Sequence, residues 1–167
     1  MSSPSSHLLP LDADARAALG AAAVNVAEDS LFAFAEPCSA DALAVTLDAR
    51  PDGEPWMAAM VRFRGPFHGD AEVTLPRALA EELCASFSGA DPSELEPQHV
   101  ADFTGEFANM ACGLWLTRTH GQARFDLEAP LVHEYVRTSA AVPDDAFGML
   151  VNDAPVIVTL RRSEGRH

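Results

Sequence analysis

Asp102, Glu106 and Asn109 stand at i, i+4 and i+7 within the run HVADFTGEFANMACGLWLT. At roughly 100° per residue, an α-helix projects all three from one narrow stripe, which Gly113 continues. A carboxylate and a neutral amide fixed on a rigid helix can anchor a cation and orient a water. That pairing suggests a hydrolytic site acting on something a partner brings in. Nowhere else in the chain do residue type and spacing together imply chemistry.

The competing reading is a solvated helix face, which a chain this acidic produces readily. Glu followed three residues later by Asn is a short motif, and Asp102 one turn upstream makes it rarer. The acids lie too far from the start of the helix to gain much from its dipole. Phe103, Phe107, Met110 and Leu114 cluster about a quarter turn away and read as the core face, which leaves the polar stripe toward solvent. Gly113 is unusual there, because a mid-helix Gly costs about 1 kcal/mol relative to Ala. Close approach of another backbone would explain it. A carboxylate hydrolase built on Glu106 alone lacks a second carboxylate or a nucleophile.

The helix that must position these residues opens with Pro97 near its first turn and runs to about Thr117, with Gly121 just beyond. Before it, residues from about Leu11 to Ala35 read as a long alanine-rich helix stopped by Pro37. ALAVTLDA (42–49) reads as a strand, and the Pro51-Asp52-Gly53 turn leads into a second at 56–64. AEVTL (71–75) is a third, and Arg77 to Phe87 forms a short amphipathic helix closed near Gly89. After the site helix come strands at 123–128, 147–152 and 155–162, with a break at Pro130 and a turn at Asn152-Asp153. The order is a pseudo-repeat of a helix and three strands. It predicts an α/β-layered (α+β) domain over 11–163, with two long helices on a largely antiparallel six-stranded sheet. Residues 1–10 read as a disordered tail.

Composition narrows the function. The 167 residues carry 25 acids against 11 bases, a net charge of −14, so binding to nucleic acid or to an anionic membrane surface is not expected. No segment reaches the length of a membrane span, and MSSPSSHLLP has neither the basic nor the apolar part of a secretory signal. Cys38, Cys84 and Cys112 form no C-x-x-C pair, which points to buried small hydrophobes in a reducing cytoplasm. Six scattered histidines make no ligand cluster, so no metal site is expected on this chain.

The run D102-F-T-G-E106-F-A-N109-M-A-C-G113, followed by an apolar run into Pro130, resembles the active-site region of the CheC/CheX/FliY family of response-regulator phosphatases. That family's signature is Asp or Ser, three residues, Glu, two residues, Asn, and a Pro about twenty-two residues on; here 20 residues separate Asn109 from Pro130. The first helix has Glu28 but Leu31 where a second site would need Asn, so the chain resembles CheX more than CheC. The resemblance implies a CheC-like pseudo-twofold fold and, as substrate, a phosphorylated CheY-like receiver domain holding an aspartyl phosphate and Mg²⁺. Asn109 would orient the attacking water, Glu106 would anchor a receiver lysine, and Asp102 and Gly113 would help bind the receiver. No cofactor is expected on this chain, and a homodimer is. The alternative within the same resemblance is a module that binds a receiver, or a flagellar or chemotaxis complex, without catalysis.

Overall fold

The computed structural model describes residues 12–139 and 141–162; the expected tail at 1–10 lies outside them. Asp12 caps α1 (Ala13–Asp29) by accepting from the Ala15 N–H at 2.9 Å. The helix is shorter than the 11–35 expected. After Ser30 the Ala33 N–H reaches back to the Ala27 carbonyl at 2.9 Å, and Phe32 takes the left-handed conformation, φ 54°. The chain then enters an edge strand, β1 (Ala35–Cys38), that contains Pro37. Pro37 therefore does not stop the helix. It occupies an edge position where a missing N–H is tolerated.

The 42–49 run is not a strand. It belongs to α2 (Ala40–Asp48), because Ser39 accepts from the Ala42 N–H at 3.1 Å and starts a helix there. Leu43 and Leu47, one turn apart, are buried, whereas Val45 is 70% exposed. On a strand all three would share one face.

β2 (Pro55–Arg64) and β3 (Gly69–Pro76) form the central hairpin, and α3 (Arg77–Ser88) closes at Gly89, φ 71°. A single 3-10 turn at Pro92–Glu94 leads into α4 (Pro97–His120). The strand expected at 123–128 is only β4 (Asp126–Leu127). It is followed by an unexpected β5 (Leu131–Val136), then by β6 (Ala146–Val151) and β7 (Ala154–Arg161). Asn152 and Asp153 both have positive φ, 49° and 68°, as a two-residue hairpin turn of the primed type requires.

All pairings are antiparallel, in the order β1-β6-β7-β3-β2-β4, with β5 also on β2. The outcome is the expected α+β class, with four α-helices on seven strands among the described residues where two long helices and six strands were expected. Exchanging β1 with β5, β2 with β6 and β3 with β7 maps the order β1-β6-β7-β3-β2-β5 onto itself. The helix-and-three-strands repeat is thus real, with α2 inserted into its first copy.

One sheet face carries the main core. Ala59, Val61 and Phe63 of β2 pack there with α1, α3 and α4. The other face holds a smaller cluster, Leu43, Leu47, Trp56 and Ile157, under α2. Cys84 and Cys112 are buried and Cys38 is half-buried; burial pushes the Cys112 thiol up to about 12, so it behaves as a small hydrophobe.

α2 comes close to the sheet at Gly148, where an added Cβ would lie 2.7 Å from Leu43 Cδ2. Gly148→Val should therefore cost about 1–3 kcal/mol in a denaturant titration by overpacking this contact. Val45→Ser, on the outer side of α2, should stay within about 0.5 kcal/mol of the parent.

Candidate functional site

α4 carries the whole stripe, and its position is fixed at four places. At its N-terminus Glu96 and His99 form a reciprocal cap, with His99 Nδ1 accepting from the Glu96 N–H at 3.2 Å. Along its inner side Phe103, Phe107, Ala111 and Trp115, spaced every four residues, are all buried. Near its C-terminus Trp115 meets Phe63 of β2 edge-on, ring centroids 5.4 Å apart, and His120 packs on Phe67 at 4.9 Å. Arg118 Nη1 donates to Asn25 Oδ1 of α1 at 2.7 Å, tying the two long helices together.

With that side buried, helical geometry turns Asp102 and Glu106 into solvent and leaves Asn109 and Gly113 half-exposed. Gln98 Nε2 donates to Asp102 Oδ1 at 2.7 Å, which steadies that carboxylate one turn before Glu106. Neither Glu106 nor the Asn109 carboxamide has a hydrogen-bond or ion-pair partner among the described residues. The structure thus gathers all four sequence-derived candidates on one outward ridge. Among the described residues no cluster of three or more His, Cys, Asp or Glu is arranged to hold a metal ion.

Among the described residues a Cβ added at Gly113 would have nothing beyond its own helix within 4 Å, so no close backbone approach among them explains it. Gly105, which the spacing argument passed over, does have such a neighbour. Its absent side chain admits Pro130 and Val132, with Pro130 Cβ 3.1 Å from where a Cβ would stand. Pro130 therefore sits against α4 beside Glu106 even though its connection is shorter than the family signature. The available signal was a glycine directly before Glu106, inside a helix that gains nothing from it locally.

Two depressions flank the ridge. An open groove of about 560 Å³ lies between α3 and the N-terminal half of α4, with Asp102 and Glu106 on its edge. A smaller one of about 300 Å³ begins at Gly113 and runs toward His120 and β4.

Solved structures with this arrangement define the class of fold. The chemotaxis protein CheX from Vibrio vulnificus superposes with a TM-score of 0.67 at 16% identity, over 90% of this chain and 97% of that one. CheX from Desulfovibrio desulfuricans gives 0.61 at 17% identity, covering 90% and 99%. A CheX-CheY-BeF3-Mg²⁺ complex from Borrelia burgdorferi gives 0.56 at 13% identity, covering 89% and 97%. These establish a CheC/CheX-like fold.

Residues 57–152 match the family described as chemotaxis phosphatase CheX, more than half of the sequence and all of the α4 ridge. The chain belongs to the CheX family. No curated protein sequence matches it.

Gly113 tests whether the ridge is sterically open in the free protein. In a helix with open space around it, Gly113→Ala should raise stability by about 0.5–1 kcal/mol in thermal or denaturant unfolding. A loss of stability would mean that the position is sterically closed in the free protein.

Proposed function

We propose that this protein is a phosphatase for the aspartyl phosphate of a CheY-like receiver domain, with Asn109 as the catalytic residue and Glu106 as the anchor. The observation that carries the reading is the Asn109 carboxamide. It is half-exposed, one turn from Glu106, and without an intramolecular hydrogen bond among the described residues. A buried or spent amide could not serve a visiting protein.

An acyl phosphate is already activated, and the receiver would bring its own Mg²⁺ and charge stabilisation. What it lacks is an in-line water. A carboxamide can both donate to and accept from that water. It is no useful base, so its role is positioning. Ordering one water contributes on the order of 2–4 kcal/mol, or roughly 30- to 1,000-fold in rate.

Glu106 offers a carboxylate to a cation on the receiver, and Asp102, held by Gln98, sets the neighbouring charge. Gly113 leaves room for a receiver loop to come within backbone distance of α4. Membership of the CheX family and the CheY partner of the Borrelia burgdorferi homologue support this assignment. The reading implies a cytoplasmic protein; among the described residues no helix is long and apolar enough to cross a membrane. It also includes a homodimer, for which the edge strand β5 offers Leu131 and Val136, 60% and 50% exposed.

Asn109→Ala should fold normally and bind a receiver carrying beryllofluoride and Mg²⁺ about as well as the parent. Its acceleration of phosphoaspartate decay should fall by roughly 30- to 1,000-fold. Glu106→Gln should instead raise the half-saturating receiver concentration about tenfold or more. Both are read from the decay of radiolabelled phospho-receiver. An Asn109→Ala protein as active as the parent would overturn the mechanism. A parent that binds without accelerating decay would identify a non-catalytic module.

A further inference from the structure

We propose that the groove between α3 and the N-terminal half of α4 receives an apolar side chain of the phosphorylated receiver, carried between basic residues, and so selects which receiver reaches Asn109. This rests on the reading of α4 as the phosphatase ridge and names how its partner is chosen.

The floor and lip of the groove are apolar. Phe87 stands 46% exposed at the end of α3 and packs at a tilt against Phe103 of α4, ring centroids 5.7 Å apart, with Leu95 also lining the groove. The polar groups deep in the groove, away from its acidic edge, are already engaged within the chain. Ser88 Oγ donates to the Cys84 carbonyl at 2.7 Å, and Cys84 Sγ lies 3.6 Å from the His99 carbonyl. What remains favours an apolar occupant.

Glu94, Asp102 and Glu106 line the edge, and none of them forms an ion pair among the described residues. On a chain of net charge −14 this edge is an unneutralised acidic rim. It complements a segment whose apolar residue is flanked by Lys or Arg.

Continuity identifies that segment's owner. Asp102 and Glu106 belong both to the groove and to the ridge, and Glu106 is one turn from Asn109. A protein large enough to bring an acyl phosphate to Asn109 must overhang the groove's edge. An exposed aromatic in a concave, dewatered setting is the usual anchor of such a contact.

The test uses the parent, Phe87→Ala, Ala90→Trp and Asn109→Ala, with the host's purified receivers. Binding is measured with beryllofluoride and Mg²⁺ on the receiver, and turnover with the phosphorylated form. Ala90 lies outside the core in the loop after Gly89, where it borders both this groove and a depression along the outer side of α3, so Trp there crowds the groove's mouth.

Phe87→Ala and Ala90→Trp should each raise Kd and the half-saturating concentration about tenfold for the cognate receiver, with maximal rate within about twofold. Asn109→Ala should do the opposite. If Phe87→Ala melts early, Ala90→Trp alone decides. Unchanged binding by both groove variants, with Asn109→Ala inactive, sinks the groove and leaves the phosphatase reading standing. An active Asn109→Ala sinks the reading beneath it. A change of self-association in Ala90→Trp by sedimentation would make the groove a contact between copies of this chain, and would overturn the proposal.

Discussion

One helix side buried against a sheet determines what the opposite side offers. Phe103, Phe107, Ala111 and Trp115 form a single row on α4, and all four are removed from solvent. Burying each of the large ones stabilises by about 1.5–3 kcal/mol, so rotating α4 about its axis would forfeit several kcal/mol at once. The angular position of Asp102, Glu106 and Asn109 is thereby fixed by the backbone, with no side-chain bond to Glu106 or Asn109 among the described residues. This matters because an amide that orders a water must itself be placed to a fraction of an ångström. A half-buried, unbonded side chain achieves that only if its backbone cannot move. Gly105 adds the remaining constraint, holding α4 against Pro130 and Val132 where a larger residue would lift it away.

The pseudo-twofold sheet places α1 where α4's symmetry mate should be, yet only α4 carries a ridge. The difference is local. α1 stops at Asp29, and Leu31, three residues after Glu28, is fully buried as the chain turns through left-handed Phe32 into β1. An amide at 31 would therefore be sealed inside. The second edge of the turn is locked by a reciprocal pair, the Phe34 N–H to Asn152 Oδ1 at 2.9 Å and the Asn152 N–H to the Phe34 carbonyl at 2.8 Å. The first copy of the repeat has become scaffold. Its alanine-lined face, with Ala22, Ala23 and Ala27 buried, lets α1 lie close to its neighbours.

The ridge was legible because helical periodicity survives tertiary context when a long apolar row backs it. Shorter elements lacked that protection. Leu43, Val45 and Leu47 alternate as a strand would, but Leu43 and Leu47 are also one helical turn apart, and the Ser39 cap decides between the two. β5 was missed because LVHEYV is an edge strand with exposed residues on both sides, so burial writes little periodicity into it. Pro37 misled because an edge strand, paired on one side only, accepts a residue that has no N–H. The packing of Gly105 on Pro130, and the groove formed by α3, join residues distant in sequence. No local pattern encodes such contacts.

The chemistry available to the ridge also limits what it can act on. Asn109 stands with carboxylates on its own stripe and no thiol or lysine there; His99, a turn before Asp102, is engaged in the cap with Glu96, and the buried Cys112 thiol, held protonated at neutral pH, is no nucleophile. A carboxamide can aim a water but cannot itself take its proton or stabilise a leaving group. A phosphate monoester, with its high intrinsic barrier, asks for all three. A mixed anhydride of aspartate and phosphate, held with a cation by its own protein, asks only for the first. The sparseness of the site is thus consistent with a substrate that arrives already activated. It also explains why so acidic a surface is compatible with phosphate chemistry: the cation and the positive charge would come with the partner, and the acids on this side would hold that partner rather than meet the phosphate.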